Sequence, residues 1–417
     1  LAKDRLRPGA RAGLVATSGI RLGKAREASL DYVVANGGTI TNAVSSRSWP
    51  GEAALNVSMV NWVKGQAVGP FDLVIDDEVY SVASIPTHLQ LHLDASEAHS
   101  LRANAEGTTM GVIFGHGAFV SDSEGFPRDT RRPWFRPVAT GGDMLRGRLS
   151  IEPDRCIYLV SCNDEVTAER QGGLAFDFLR QHVFPSVSGR AESGKDAAVY
   201  AAWLRRWWKP WAPREEFFAS FAGRRLIVCS NPQARPVFAF ISTRFVPTNT
   251  LQVFAFDDDY SFGVIQSGPH WTWTKAKGGK VRADFRYTKE VWSTFPWPQE
   301  PTEQEVADVA AAGRHLRAVR EELMIENGWS LRALYQAAEV AGPHPLKDAQ
   351  AALDEAVRKA YAMPSGVEAT EFLLELNKLV AEDEAEGRAV QGPGLPRGLD
   401  PRDPRWTSDD CIEPPKP

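Results

Sequence analysis

Leu55-Asn56-Val57-Ser58-Met59-Val60-Asn61-Trp62 alternates apolar and polar residues with a period of two, the pattern of a strand with one buried face. Thr39 to Val44 upstream and Phe71 to Ile75 downstream are further strand candidates. Before them, Arg11 to Ser18 (RAGLVATS) is an apolar run behind the turn signal Pro8-Gly9 and reads as a short buried strand. Lys24 to Val34 carries a helical pattern that Asn36-Gly37-Gly38 stops. Strands alternating with a helix predict an open α/β sheet. Only a few such units are present, so a lone piece of this size leaves a sheet edge and a sheet face uncovered. Residues 1–84 therefore read as part of a sheet whose remainder lies elsewhere.

The 417 residues are 43% hydrophobic and 24% charged, an ordinary globular composition and enough for two or three domains. No run of about 18 apolar residues occurs, so no membrane-spanning helix is expected. The opening Leu-Ala-Lys-Asp-Arg-Leu-Arg is charged and does not read as a signal peptide. Cys156, Cys162, Cys229 and Cys411 are scattered without zinc-ligand spacing and read as reduced thiols of a cytoplasmic protein.

The block Phe285-Arg-Tyr-Thr-Lys-Glu-Val-Trp-Ser-Thr-Phe-Pro-Trp-Pro298 closes a region rich in both tryptophan and cations. Eight of the thirteen Trp lie between Trp203 and Trp297. Residues 201–292 hold fourteen Lys/Arg and seven Asp/Glu, a net charge of +7 (14 − 7) in a chain whose total is −5. Flat aromatic faces among cations suit a polyanion with stackable bases. The structural alternative is that the Trp are core, since 203 and 207 sit at helical spacing.

Residues 130–300 mix short strands with few long helices. Leu226 to Ser230, Val237 to Ser242, Leu251 to Phe256 and Tyr260 to Gln266 are expected strands, and Asp257-Asp258-Asp259 a solvated turn between the last two. Trp271 and Trp273 alternate as on one strand face. Helices are expected over Gly172–Val183, Lys195–Trp208 and, from Asp94 with Glu97, Asp94–Ala105, with a Gly-turned hairpin over Met110–Val120. From Thr302 the texture is helical. Thr302 with Glu305 is a capping box, Asn327-Gly328 a stop, and Ser330–Ala341, Leu346–Ala362 and Gly366–Glu386 follow as helices. Residues 300–417 net −10 (13 − 23), and residues 391–417, rich in Pro, Gly and Asp, are expected to be a disordered tail.

In order, these segments resemble the C-terminal part of the large S-adenosylmethionine-dependent, adenine-specific DNA methyltransferases, including the MmeI-like fused restriction–modification enzymes. Arg11–Ile20 resembles the strand that follows that family's catalytic Asn-Pro-Pro-Tyr loop, and Leu55–Trp62 the later strand near the target-base pocket. Asp257–Val264, Phe285–Thr288 and Thr294–Pro298 resemble the end of the target-recognition domain, and Leu353–Tyr361 a helix of the C-terminal module. The resemblance implies an α/β plus α+β architecture in four parts: a partial class I methyltransferase sheet (1–84), a mixed α/β target-recognition domain (85–300), a helical module (301–390) and the tail. It also implies S-adenosylmethionine as cofactor of the full-length parent and double-stranded DNA as partner.

The family's two chemical motifs are absent. The sequence holds no Gly-rich loop for S-adenosylmethionine and no Asn-Pro-Pro-Tyr; the nearest string, Ser230-Asn231-Pro232-Gln233, lacks the second proline and the aromatic. No catalytic and no metal-binding residue is therefore assigned. The expectation is a fragment, a truncated product or one half of a split enzyme, with the missing N-terminal methyltransferase or nuclease portion as a partner. The DNA-contact candidates are Lys209, Arg214, Arg224, Arg225, Arg235, Arg244, Lys275, Lys277, Lys280 and Arg282, mostly toward phosphates, with Asn231 and Gln233 as amides able to read base edges. Asn61 and Trp62 are the base-pocket candidates implied by the resemblance, Trp62 having a core role as its alternative. Competing readings are a non-enzymatic DNA-specificity subunit that pairs with a separate catalytic chain, and a helical scaffold whose Trp-rich part binds protein.

Overall fold

The computed structural model describes the chain except residues 1, 22, 51–54, 76, 92–94, 128–131, 148–152, 194, 222, 236, 282–283 and 415–417. Five strands build the first sheet: β1 (Arg11–Thr17), β2 (Gly38–Ser48), β3 (Asn56–Lys64), β4 (Phe71–Ile75) and β5 (Glu78–Val82), in the order β1-β3-β2-β4-β5. β3 is antiparallel to both neighbours, so β1 and β2 run parallel on either side of it. β4 is parallel to β2, and β5 closes antiparallel. The period of two on β3 sends Val60 and Trp62 into a core with Ile40, Ala43 and Leu73 and leaves Asn61 exposed. Helical turns between Ser18 and Ala35 add Ile20, Leu30 and Val33 to that core. At the other end of the order, β1 pairs only with β3 among the described residues; expected as a buried strand, it is instead an edge with no buried residue, Leu14 being 36% and Val15 53% exposed, because nothing described covers its outer side.

The central part contains β6 (Thr108–Met110), β7 (Phe135–Ala139), β8 (Arg155–Ile157), β9 (Arg225–Ser230), β10 (Phe238–Ser242), β11 (Val246–Pro247) and β12 (Leu251–Phe254). They form the sheets β10-β9-β12-β6 and β11-β7-β8. Arg225 to Cys229 on β9 are all buried, as a strand covered on both faces requires. The ribbon β13 (Gly279–Val281) and β14 (Asp284–Arg286) pairs antiparallel. Helices Asp259–Gln266, Gly268–Lys277, Glu303–Asn327, Pro345–Ala360 and Ala369–Ala385 pack with the β9 sheet into one core that holds Phe254, Phe262, Trp273, Trp297, Leu316 and Leu353. This core runs without a break across residue 300.

The long C-terminal helices form where the capping signals stand. Both hydrogen bonds of the Thr302/Glu305 box are present, and Gly328 ends the helix in the left-handed region at φ 62°. Residues 260–266, expected as a strand, are a helix. Asp258 caps it by accepting from the Ser261 amide, and all eight residues Asp259–Gln266 are buried. A helix buried on every face has no amphipathic period, and a short apolar run then reads equally as strand. Gly263 lets it approach the 303–327 helix: an added Cβ would lie 2.5 Å from Val309 Cγ1. Trp271 and Trp273 are also helical, on Gly268–Lys277, where Ser267 is the cap and Pro269 sits in the first turn. The segment after Asp94, itself outside the described residues, gives two short 3-10 turns, Ala95–Glu97 and Arg102–Asn104. No hairpin forms over 110–120; β6 leads to a 3-10 turn at Gly117–Phe119.

Residues 391–414, expected to be disordered, are instead packed onto the protein. Trp406 is 1% exposed, its indole donates to the Asp400 carbonyl, and its own carbonyl accepts from the Asp259 amide. Ile412 then adds to the edge of β10: its amide donates to the Phe240 carbonyl and its carbonyl accepts from the Ser242 amide, both at 2.9 Å. Two large side chains and a strand edge anchor a segment whose average composition reads as disorder.

Candidate nucleic-acid interface

The tryptophans do not form a stacking platform. Trp203, Trp207 and Trp208 are buried with Phe176 and Leu179 in one core. Trp273, Trp292 and Trp297 are buried in the main core. Their spacing reflects packing.

Most of the candidate cations are likewise engaged within the protein. Arg225 is 1% exposed and lies 3.7 Å from the Phe240 ring centroid. Its guanidinium reaches Asp257, Asp259 and Asp410 at 3.0, 2.9 and 3.2 Å. Asp259 is the hub: fully buried, it also accepts from Arg314 at 3.0 Å, Arg317 at 2.7 Å and Ser408 at 2.9 Å. Within the acidic triplet Asp257 and Asp259 are thus internal counter-ions and Asp258 a helix cap, not a solvated turn. Burial works to raise Asp410, but the Arg317 hydrogen bond and charge, with Ser408 and Arg225, outweigh it and hold the carboxyl at about 2. Lys209 is buried and paired with Glu215 at 3.0 Å. These two cations are removed as DNA contacts, because a buried, paired cation has no free face for phosphate.

Arg224 pairs with Asp409, Arg244 with Glu413 and Arg235 with Glu339 through two hydrogen bonds of 2.6 and 2.7 Å. Arg214 is half-buried and donates to the Met110 carbonyl, and Lys277 donates to the Ala95 carbonyl. Asn231 is spent on the backbone of Tyr287, donating to its carbonyl and accepting from its amide. Trp62 is 5% exposed in the first core while Asn61 faces the opposite side of the sheet, so the two line no common pocket. The Lys280 side chain and Arg282 lie outside the described residues.

A different set is left available. Gln233 is 5% exposed, yet neither end of its amide finds a hydrogen-bond partner among the described residues. Its backbone pairs with Phe285 in both directions, at 2.9 and 2.8 Å, so it borders the β13–β14 ribbon. It also lines a groove of about 210 Å³ with Ser230, Arg235, Arg332, Tyr335 and Gln336. Lys275, Arg286, Lys289 and Arg332 are exposed and pair with no carboxylate among the described residues. Arg286, Lys289 and Arg332 were not among the sequence candidates. The available signal was local density: residues 275–289 hold six Lys/Arg and one Asp. Behind the ribbon, burial pushes His270 down to about 4, and its ring bridges the Ile265 carbonyl and the Tyr287 hydroxyl at 2.6 and 3.0 Å.

Beside this sheet, Lys275, Arg286 and Lys289 are exposed cations. Residues 228–299, which contain this ribbon and the Gln233 loop, match the family model for the MmeI target recognition domain. The chain is similar over 89% of its length to MmeI, a type IIL restriction–modification enzyme whose structure was solved in complex with DNA, with a TM-score of 0.70 and 19% sequence identity. A stretch of 139 residues is 31% identical to DNA methyltransferase A of Bacillus subtilis (strain 168), covering 32% of this chain and 15% of that protein. The chain spans about half the length (50%) of the MmeI structure. The family-model match covers residues 228–299 of the 417, and the likeness to the MmeI structure is one of fold.

Proposed function

We propose that this chain is the DNA-reading portion, with part of the catalytic domain, of a site-specific DNA methyltransferase that moves a methyl group from S-adenosylmethionine to the N6 of adenine. The observation that carries this reading is the match of residues 228–299 to the MmeI target recognition domain, within a chain that resembles MmeI over 89% of its length. In such an enzyme the adenine leaves the duplex to reach the cofactor. The first sheet contributes by holding β1 and β2 parallel about the antiparallel β3, with the β1 edge open to further strands. Its uncovered backbone groups give a strand from the rest of the enzyme a place to pair.

The sequence has no Gly-rich cofactor loop and no Asn-Pro-Pro-Tyr, so no residue here is assigned to S-adenosylmethionine or to the chemical step. The chain alone is therefore expected to transfer no methyl groups. The test is incorporation of labelled methyl from S-adenosylmethionine into a pool of duplexes. Turnover should appear only after addition of a separately produced N-terminal portion carrying both motifs. Turnover by this chain alone would overturn the assignment of incomplete chemistry.

A further inference from the structure

We propose that residues 407–413 are an autoinhibitory strap: the carboxylates of Asp409 and Glu413 occupy a cationic turn of the central sheet and close it to the phosphodiester backbone of a nucleic acid until phosphates take their place. The inference rests on the DNA-recognition reading above and concerns the opposite end of β9 from Gln233.

Three arginines are gathered about that turn. Thr243, between β10 and β11, donates through its amide and its hydroxyl to the Arg224 carbonyl, at 3.0 and 3.1 Å. Its own carbonyl accepts from the Arg136 guanidinium at 2.6 Å, and Arg244 is the next residue. Arg136 pairs with no carboxylate among the described residues. It lines a groove of about 150 Å³ with Thr243, Gly223, Tyr158 and Phe221. Like charges on one short turn repel, so an anion offsets them wherever one is within reach.

The strap supplies that anion. Residues 407–413 contain three Asp/Glu and no Lys or Arg. Asp409 pairs with Arg224, and Glu413 accepts from Arg244 Nε and Nη2 at 3.0 and 2.5 Å. The strap is anchored by other groups: buried Trp406, Asp410 against Arg317 at 2.6 Å, and the Ile412 backbone on the edge of β10.

The two outward pairs are built to exchange. The Asp409 and Glu413 side chains are 77% and 50% exposed, and those of Arg224 and Arg244 are 79% and 51% exposed. Exposed ion pairs contribute little to stability and are screened by salt. A phosphodiester backbone offers the same arginines several charges at once and gains from counterion release. With the anchors in place, the exchange moves two side chains and leaves the fold as it is.

The full chain is tested with fluorescently labelled random-sequence duplexes, by anisotropy across a salt series, and sequencing of the retained DNA reports recognition separately. The variant Asp409→Asn/Glu413→Gln should bind about tenfold more tightly at about 50 mM salt and steepen the slope of log K against log salt by roughly 0.9 for each phosphate newly neutralised. Its unfolding midpoint in denaturant should stay that of the unmodified chain; a fall would place the two carboxylates among the anchors and count against the proposal. Adding Arg224→Ala and Arg244→Ala should remove the gain. Glu355→Gln/Glu375→Gln removes as many charges from exposed pairs on two other helices and should change affinity by less than about twofold. If the unmodified chain retains a motif and the strap variant binds no more tightly, the strap is a structural counter-ion set, and the DNA-recognition reading stands without it. A gain that survives the loss of Arg224 and Arg244, or that the Glu355/Glu375 variant matches, also overturns the strap assignment. If neither the unmodified chain nor the strap variant binds a duplex, the assignment falls together with the reading on which it rests.

Discussion

Asp259 joins three parts of the molecule through one carboxylate. Fully buried, it accepts from Arg225 of β9, from Arg314 and Arg317 of the 303–327 helix, and from Ser408 of the tail. Removing one partner from a buried ionic cluster leaves uncompensated charge and costs about 3–5 kcal/mol. Asp259→Asn keeps the shape and removes the charge, so it should lower the stability of the chain by about that amount in denaturant unfolding; an unchanged midpoint would contradict the hub. His270 gives a pH-dependent counterpart. Its folded value of about 4 lies below the unfolded value of 6.5, so its contribution is complete above about pH 6.5 and is lost as pH falls from there toward 4. Asp258, pushed up to about 6 by burial, acts in the opposite sense between about pH 4 and 6. Bulk stability therefore blurs the two. The imidazole NMR shifts should show His270 neutral at pH 5.5; titration near 6.5 would contradict its burial. At this scale the sequence displayed the right chemistry but not its partners. Nothing near Arg224 or Arg225 announces that Asp409 and Asp410, more than 180 residues later, return to meet them.

Elements were legible in proportion to their exposure. The 303–327 helix has a capping box, a left-handed glycine stop and one polar face, so local signals sufficed. β3 showed its period because Val60 and Trp62 are covered while Asn61 is exposed; β1, an apolar run without a period, was misread as buried. Helix 259–266 was illegible because every residue is buried, which erases the period. The tail was misread for the opposite reason: polar composition hid two anchors, Trp406 and Ile412. Trp406 occupies the main core, so Trp406→Ala should cost about 3–5 kcal/mol and expose residues 400–413 to protease. Cleavage there at the unmodified rate would contradict the packing of the tail. Ile412 also blunts the open edge of β10.

At the scale of the whole molecule, charge decides what the fold does. The chain is net −5, and its C-terminal part, net −10 over residues 300–417, supplies many of the counter-ions for the arginines of the recognition sheet. The basic surplus seen in residues 201–292 is in large part neutralised internally. The most direct measurement is binding of the full chain to a random duplex pool at about 50 and 200 mM salt, with sequencing of the retained DNA. A reader of DNA sequence should retain an enriched motif and lose affinity by about tenfold or more across that salt range, as a few phosphate contacts require. A folded chain that retains no duplex at either salt would contradict the account.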